Sequence, residues 1–278
     1  MNWQEDLVSA GQLKLYCKRA AHDGPAIIAL HGWLDTADSF DAFGENLNLY
    51  SFDLAGHGQS DHRPPGSNYH IWEYALDMAF AIESLCLNEV HFLGHSLGAA
   101  ISVMYAALFP DKVKSLFLIE GFAPHLMQED QTACHMREAF KQRLAPPRFN
   151  TEVADLEQAA KRRFENAVSP VTRETARRLV RRQIIATDKG FKWSFDQRLR
   201  MGSLVRLSFE QFSSFITEVV CPVHIVMGDK GLFSKKAIAI AESRFKNLTL
   251  KQLTGGHHLH MEDAEQQIVD LANKWFHS

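Results

Sequence analysis

The sequence lacks several features that mark specialised classes of protein. Its cysteines occur singly, without the CxxC pairs or the density of zinc, redox or disulfide frameworks, so reduced thiols are expected at Cys17, Cys86, Cys134 and Cys221. No uninterrupted run of about 18 apolar residues occurs, and the N-terminal segment is acidic and lacks an apolar stretch. The sequence therefore predicts a cytoplasmic protein that has no membrane partner.

An excess of either charge is also missing. The 278 residues include 30 basic and 33 acidic side chains, and the net charge of −3 offers no global attraction to a phosphate backbone or an anionic membrane. Nucleic acid is therefore not expected as a partner. With 46% hydrophobic and 10% aromatic residues, the chain has enough apolar material for one large buried core.

Short apolar runs alternate along the chain with longer segments of helical period, which indicates an α/β protein whose mostly parallel sheet is covered on both faces. Strands are predicted at Ala26–Leu30, Leu49–Asp53, Val90–Leu93, Leu116–Ile119, Val223–Met227 and Leu248–Leu253, with an antiparallel hairpin around Leu7–Cys17. Helices are predicted at Ile71–Leu85, Leu97–Phe109, Lys235–Phe245 and Met261–Phe276.

The alternation stops over residues 121–218, where helical patterning continues without a convincing strand. This segment has 17 basic and 12 acidic residues, a net charge of +5, which leaves −8 for the remainder. We predict a helical cap at 121–218, inserted into a core formed by 1–120 and 219–278. The cap would favour substrates with a carboxylate or a phosphate if Arg173, Arg177 or Arg181 faces the pocket, although such a run is usually a solvated face.

The most informative motif is GHSLG at residues 94–98, a G-x-S-x-G pattern between a predicted strand and a predicted helix. Residues 94 and 98 must be small, because larger side chains would collide with the adjoining strand and helix. The tight turn lifts the Ser96 hydroxyl above the sheet, and the helix N-terminus offers unpaired N–H groups to a developing oxyanion. Ser96 is therefore predicted to be a nucleophile.

The HGW motif at residues 31–33 follows the first predicted parallel strand. A turn over the sheet edge can aim a backbone N–H into the same crevice, so we assign the oxyanion hole to the N–H groups of Trp33 and Leu97. His31 and His95 are expected to bind substrate, with His31 acting as an orienting hydrogen-bonding residue rather than a proton carrier.

The GGHHLH motif at residues 255–260 follows the last predicted strand, in a loop that could bring an imidazole over the nucleophile. Clustered histidines can also bind metal ions. No cysteine ligand set or HExxH pattern accompanies these, so neither a metal nor a cofactor is predicted.

Together these motifs resemble the α/β-hydrolase family over nearly the whole chain. The resemblance lies in HGW, DLAGHGQS (53–60), GHSLG, the helical insertion and GGHHLHME (255–262); HGWLDTADSFD (31–41), GHGQSDHRPPG (56–66) and FDQRL (195–199) are similar to its serine-hydrolase-like branch. It implies an eight-stranded, doubly wound sheet, with Ser96 as nucleophile and His257 as general base. Members that hydrolyse epoxides or carbon–halogen bonds carry an aspartate nucleophile, so Ser96 implies an acyl substrate and an acyl-enzyme.

The sequence departs from the family pattern at the triad acid. The family commonly has aspartate in a Gly-x-x-Asp turn after strand seven, and this turn ends here in Gly231. Two carboxylates could replace it: Glu120, which ends the preceding strand, and Asp229. Both lie between Ser96 and His257 in the chain, so their order does not separate them. We favour Glu120, because residue 229 is often a non-catalytic acid in the family.

The leading interpretation is an esterase-like serine hydrolase that cleaves a small acyl ester or a related acyl bond in a pocket between sheet and cap. Hydrolysis of a C–C bond would use the same triad. A catalytically weak ligand-binding protein on the same fold is also open, because the acid is missing at Gly231. The oligomeric state is not predicted.

Overall fold

A computed structural model describes residues 3–146, 149–188 and 190–277. Its strands are β1 (Gln4–Ala10), β2 (Leu13–Ala20), β3 (Ile27–Leu30), β4 (Leu49–Phe52), β5 (Val90–His95), β6 (Val113–Ile119), β7 (Glu152–Val153), β8 (Ile184–Thr187), β9 (Gly190–Trp193), β10 (Val223–Gly228) and β11 (Leu248–Leu253). Its α-helices are α1 (Ile71–Ser84), α2 (Leu97–Leu108), α3 (Thr132–Leu144), α4 (Leu156–Glu165), α5 (Arg173–Val180), α6 (Phe209–Glu218), α7 (Lys235–Arg244) and α8 (Glu265–Phe276).

Eight strands form the main sheet in the order β1-β2-β4-β3-β5-β6-β10-β11. The β1–β2 and β2–β4 pairs are antiparallel, and every pair from β4 to β11 is parallel. The predicted α/β class, with a doubly wound, mostly parallel, eight-stranded sheet, is confirmed. Because the parallel strands share a direction, their carboxyl ends meet at one edge, where the loops that follow them come together.

Both faces of the main sheet are covered by apolar side chains. On one face, Met78 of α1, Ile101 of α2 and Phe212 of α6 belong to one buried cluster. On the other face, Ile268 of α8 and Phe43, which lies between β3 and β4, belong to a second cluster. Burying a side chain of this size contributes about 1.5–3 kcal/mol to folding, so these faces hold the sheet rigid beneath its loops.

Helix α8 begins later than the periodicity predicts. The residues of Leu259–Met261 form a separate 3₁₀ turn, and α8 starts at Glu265. Its buried face is formed by Ile268, Val269, Ala272 and Phe276, whereas Leu271 and Trp275 are only partly buried. The helical period predicts an apolar face of Ala264, Ile268, Leu271 and Trp275, and the buried face is rotated from it.

Residues between β6 and β10 form helices α3 to α6 and a three-stranded sheet in the order β7-β9-β8. The expectation that this segment contains no strand is therefore wrong. These strands have two to four residues and are largely at the surface, too short to show a clear alternation of buried and exposed positions.

Helix α6 packs with the main core, since Phe212 and Ile216 are buried in the same cluster as helix α2. The division into a core of 1–120 and 219–278 and a cap of 121–218 stays a prediction, and α6 favours a cap that ends before residue 209.

The basic cap segment is joined to the acidic remainder by buried ion pairs. The Arg182 guanidinium lies 2.9 Å from a carboxylate oxygen of Asp38 and 2.8 Å from one of Asp53, and it also stacks 3.8 Å from the centre of the Tyr16 ring. The opposite net charges found in the sequence thus meet at close range.

Within the described residues, no helix is both long and apolar enough to cross a membrane. The four cysteines are free, with Cys17 and Cys221 buried and Cys86 and Cys134 exposed.

We predict that Arg182→Gln lowers the free energy of unfolding by about 3 kcal/mol, because it leaves the fully buried Asp53 carboxylate without its ion-pair partner. Urea denaturation measures the change. Arg177→Gln is the matched control: Arg177 pairs with Glu157 at 2.9 Å, but its side chain is 60% exposed, so a loss below about 1 kcal/mol is expected. Equal losses in the two variants would contradict a stabilising role for the buried pairs.

Candidate active site

Ser96 lies in the tight turn between β5 and α2. Its φ of 49° is in the left-handed region, which residues other than glycine rarely adopt. A Cβ at Gly94 would lie 2.6 Å from the Ala99 Cα, and one at Gly98 would lie 1.9 Å from the Leu30 carbonyl oxygen. The small residues on either side of Ser96 are therefore required by packing, as the motif predicts.

His257 follows β11 in the GGHHLH loop and lies between Ser96 and Glu120. Its Nε2 is 2.9 Å from the Ser96 Oγ, and its Nδ1 is 3.1 Å from Oε2 of Glu120. Because an ionised carboxylate only accepts hydrogen bonds, the proton of a neutral His257 lies on Nδ1 and leaves Nε2 free to accept from the Ser96 hydroxyl. Burial lowers the pKa of His257, and the hydrogen bond and charge of Glu120 oppose this shift without reversing it.

Glu120 follows the last residue of β6 and is fully buried. Its two carboxylate oxygens accept hydrogen bonds from the N–H groups of Gly228, at 2.7 Å, and Leu232, at 3.0 Å. Burial alone would raise the pKa of this carboxyl group, but the hydrogen bonds from His257 and from these two N–H groups outweigh it and hold the pKa below its ordinary value. The geometry therefore favours an ionised Glu120 at neutral pH.

Gly231 occupies the position where the family pattern has an aspartate. A Cβ built there would lie 2.1 Å from Oε1 and 2.3 Å from Oε2 of Glu120. The Glu120 carboxylate fills the space that a side chain at residue 231 would need. The observed position of this carboxylate therefore requires glycine at residue 231.

Asp229, the alternative acid, has a different contact. Its Oδ1 accepts a hydrogen bond from the N–H of Gly255 at 2.9 Å, and its own N–H donates to the carbonyl of Leu253 at 2.8 Å. These bonds shape the loop that leads to His257.

The predicted oxyanion-hole residues Trp33 and Leu97 both border the cavity that contains Ser96. Leu97 is the first residue of α2, so its N–H has no acceptor within the helix. The Trp33 side chain donates from Nε1 to the Leu199 carbonyl at 3.0 Å, which joins this loop to the cap segment.

His31 and His95, the residues predicted to bind substrate, are both fully buried, and neither lines the cavity that contains Ser96. His31 Nε2 accepts from the N–H of Leu54 at 3.0 Å, so its Nδ1 donates to the Gly32 carbonyl at 2.7 Å. His95 Nε2 lies 2.9 Å from the carbonyl oxygen of His257 and donates to it. These histidines hold the loops of the site in place.

A buried cluster of Asp35, His95 and His258 is the one group among the described residues whose ligand atoms approach closely enough for a metal ion, within 4.8 Å of one another. However, one Asp35 oxygen lies 2.8 Å from the Arg163 guanidinium, and the other lies 3.1 Å from His258 Nε2. The positive charge of Arg163 opposes a second cation at the same carboxylate. We therefore interpret the cluster as hydrogen bonding that ties the cap segment to the His257 loop.

A cavity of about 820 Å³ opens beside Ser96, between the main sheet and the cap segment. Its wall includes Ser96 and His257 together with aromatic side chains from both parts of the chain, among them Trp33, Trp72, Phe122 and Phe233. A smaller cavity of about 430 Å³ adjoins it and contains neither Ser96 nor His257.

The arginines that sequence reasoning singled out are not in the cavity wall. Arg173 stacks over Phe164, and Arg177 pairs with Glu157, while Arg181 is exposed. The arginines that do line the cavity are Arg143, Arg198, Arg200 and Arg206. Helical period identifies a face of a helix but not the neighbour that it meets, so the sequence did not reveal them.

A family model described as alpha/beta hydrolase fold matches residues 25–264. The serine hydrolase-like protein of Danio rerio is 26% identical over 271 residues, which cover 92% of this chain and 82% of that protein. Serine hydrolase-like protein 2 of Homo sapiens is 25% identical over 265 residues, covering 87% and 84% of the two chains.

Solved structures give the same result for the fold. The hypothetical protein PA1622 from Pseudomonas aeruginosa PAO1 is 33% identical, with a TM-score of 0.92 and coverage of 99% of this chain and 100% of that one. The thioesterase domain from the curacin biosynthetic pathway has a TM-score of 0.84 with both chains fully covered, but at 20% identity this likeness shows the fold alone.

We predict that Gly231→Ala lowers the rate of p-nitrophenyl acetate hydrolysis about 100-fold, because the added methyl group displaces the Glu120 carboxylate from His257. Steady-state kinetics measure the rate. Gly66→Ala is the control: it strains a backbone with φ of +88° but meets no atom within 4 Å. An unchanged rate in Gly231→Ala would show that the position of Glu120 does not matter.

Proposed function

The chain belongs to the α/β-hydrolase fold family and to its serine-hydrolase-like branch, and on this basis we propose that it is a serine hydrolase that cleaves a small acyl ester or a related acyl bond. The observation that carries the proposal is the continuous line of hydrogen bonds from Ser96 through His257 to Glu120, at 2.9 and 3.1 Å. In it, Ser96 is the nucleophile, His257 the general base and Glu120 the acid of the triad.

The proposed acylation step begins when His257 Nε2 takes the proton of the Ser96 hydroxyl. The Ser96 oxygen forms a bond to the acyl carbon, and the carbonyl electron pair moves onto the oxygen. The N–H groups of Trp33 and Leu97 are the proposed donors to this oxyanion. When the tetrahedral intermediate collapses, the bond to the leaving group breaks, and His257 returns the proton to that group.

Deacylation uses the same groups with water in place of Ser96. His257 removes a proton from the water, the hydroxyl attacks the acyl carbon, and the proton passes to the Ser96 oxygen as the acid is released. Throughout, Glu120 accepts from His257 Nδ1, holds the ring in one tautomer and stabilises the imidazolium that forms in each half of the reaction.

Glu120 is preferred to Asp229 as the acid because of the contacts that each carboxylate makes. Glu120 accepts from His257, whereas the described contact of Asp229 is with the backbone of Gly255. The contact between Glu120 and His257 also argues against a catalytically weak binding protein. That alternative was based on the missing acid at residue 231, and Glu120 can replace this acid. Hydrolysis of a C–C bond by the same three side chains stays an alternative.

We predict that Ser96→Ala abolishes covalent labelling by a fluorophosphonate probe and lowers kcat for an ester by about 10⁶, since only the oxyanion hole and substrate binding remain. Ser102→Ala is the matched control: Ser102 lies on α2, where its hydroxyl donates to the Gly98 carbonyl at 2.7 Å. Labelling in wild type and Ser102→Ala but not in Ser96→Ala is the expected result. A Ser96→Ala protein that keeps a tenth of the wild-type rate would refute the proposed function.

A further inference from the structure

The wall of the 820 Å³ cavity is positively charged. Its lining includes four arginines, and no aspartate or glutamate is among the described residues that line it. A cavity with one sign of charge and apolar walls concentrates ligands of the opposite sign.

Two of the four guanidinium groups contact a carboxylate or an aromatic ring of the cap segment. Arg198 lies 2.6 Å from a carboxylate oxygen of Asp196, and Arg200 stacks 4.4 Å from the centre of the Phe149 ring. The Asp196 carboxylate compensates the charge of Arg198, and the face of the Phe149 ring attracts that of Arg200.

Arg143 has only neutral partners among its described hydrogen bonds. Its NH1 donates to the carbonyls of Ala139 and Gly202, at 3.1 and 2.9 Å, and its NH2 donates to Oδ1 of Asn68 at 3.0 Å. These bonds fix the direction of the guanidinium but do not neutralise its charge.

Arg206 has no hydrogen bond or ion pair with any residue that the structure describes, although it is partly buried in the cavity wall. Burial lowers its pKa, and no carboxylate raises it. His125 senses the charge of Arg206, since its pKa is lowered first by burial and then by Arg206. A cation partly withdrawn from water without an opposite charge is unfavourable, and a bound anion would offset this cost.

We propose that Arg206 binds an oxyanionic group of the substrate, a carboxylate or a phosphate, while another part of the same molecule presents its acyl carbon to Ser96, and that Arg143 adds positive charge to the wall of the same cavity. The planar guanidinium donates two parallel hydrogen bonds to either kind of oxyanion. The aromatic wall, with Trp72 and Phe122, suits an apolar chain between the two ends. The inference rests on the proposed serine hydrolase and names its substrate class: acyl compounds with a second, anionic group.

The kinetic test compares mono-p-nitrophenyl esters of succinic, glutaric, adipic and suberic acid with methyl-terminated p-nitrophenyl esters of equal length. For at least one length, wild-type kcat/KM should be about tenfold to a hundredfold higher for the acidic ester at low salt, the size expected for hydrogen bonds to charged groups. Arg206→Gln should lose most of this preference and Arg206→Lys part of it. Arg137→Gln, an exposed position on α3 outside the cavity wall, should keep it.

A binding test is independent of turnover. In Ser96→Ala protein, tryptophan fluorescence from Trp33 and Trp72 in the cavity wall reports the binding of glutarate, butyl phosphate or neutral dimethyl glutarate. At least one anion should bind tighter than the neutral ester, and the stronger of the two identifies the group. Adding Arg206→Gln should weaken that binding about tenfold or more.

The outcomes separate the two proposals. If wild type hydrolyses acidic and neutral esters equally and no anion binds preferentially, the oxyanion site is refuted while the hydrolase proposal stands. If no ester is hydrolysed and the probe does not label Ser96, the hydrolase proposal fails, and anion binding that depends on Arg206 still supports the site. Anion binding that is unchanged in Arg206→Gln would refute the assignment to this residue.

Discussion

The hydrogen bond between Glu120 and His257 is the interaction on which the rest of the site depends. Glu120 has a φ of 46°, and its carboxylate accepts from the N–H of Gly228, the last residue of β10, and from that of Leu232 in the following turn, so the ends of two neighbouring strands fix its position. The same carboxylate excludes any side chain at Gly231. His257 is fixed from its other side as well, because His95 donates to its carbonyl. Packing and hydrogen bonds therefore hold the proposed base and acid in one fixed arrangement.

Electrostatic attraction then attaches the cap segment to this unit. Arg163 and Arg182 extend from the cap to buried aspartates of the core, and Asp35, the partner of Arg163, also accepts from His258 beside the proposed base. The proposed oxyanion loop is joined to the cap by the Trp33–Leu199 hydrogen bond. Arg206 of the cap segment lines the cavity, and its side chain has no hydrogen bond or ion pair with the part of the chain that the structure describes. The cap thus shapes the site and supplies its charge.

The sequence predicts those parts of the site that depend on local geometry. The turn at Ser96 requires small residues at 94 and 98, and all of these positions lie within one short motif. The motif and its place between a strand and a helix are therefore sufficient to predict this turn. The choice between Glu120 and Asp229 depends on contacts across two strand ends, which chain order does not contain. His31 and His95 belong to the HGW and GHSLG motifs, but their side chains are fully buried, because a motif gives position in the sequence and not the direction of a side chain. The short cap strands and the cavity arginines were missed for the same reason: their positions are set by tertiary packing.

The most direct test of the Glu120 assignment is the pH dependence of kcat and kcat/KM for wild type, Glu120→Gln and Asp229→Asn on one ester. His257 must be neutral to act as a base, so the wild-type rate should fall as the pH decreases through its pKa, which burial holds below its ordinary value. Glu120→Gln should lower kcat by about 10⁴-fold. It should also shift the fall in rate on the acidic side to lower pH, because the carboxylate that raises the pKa of His257 is gone. Asp229→Asn keeps an oxygen that can accept from Gly255 and should retain nearly the wild-type rate and profile. A crippled Asp229→Asn beside a nearly wild-type Glu120→Gln would contradict the account.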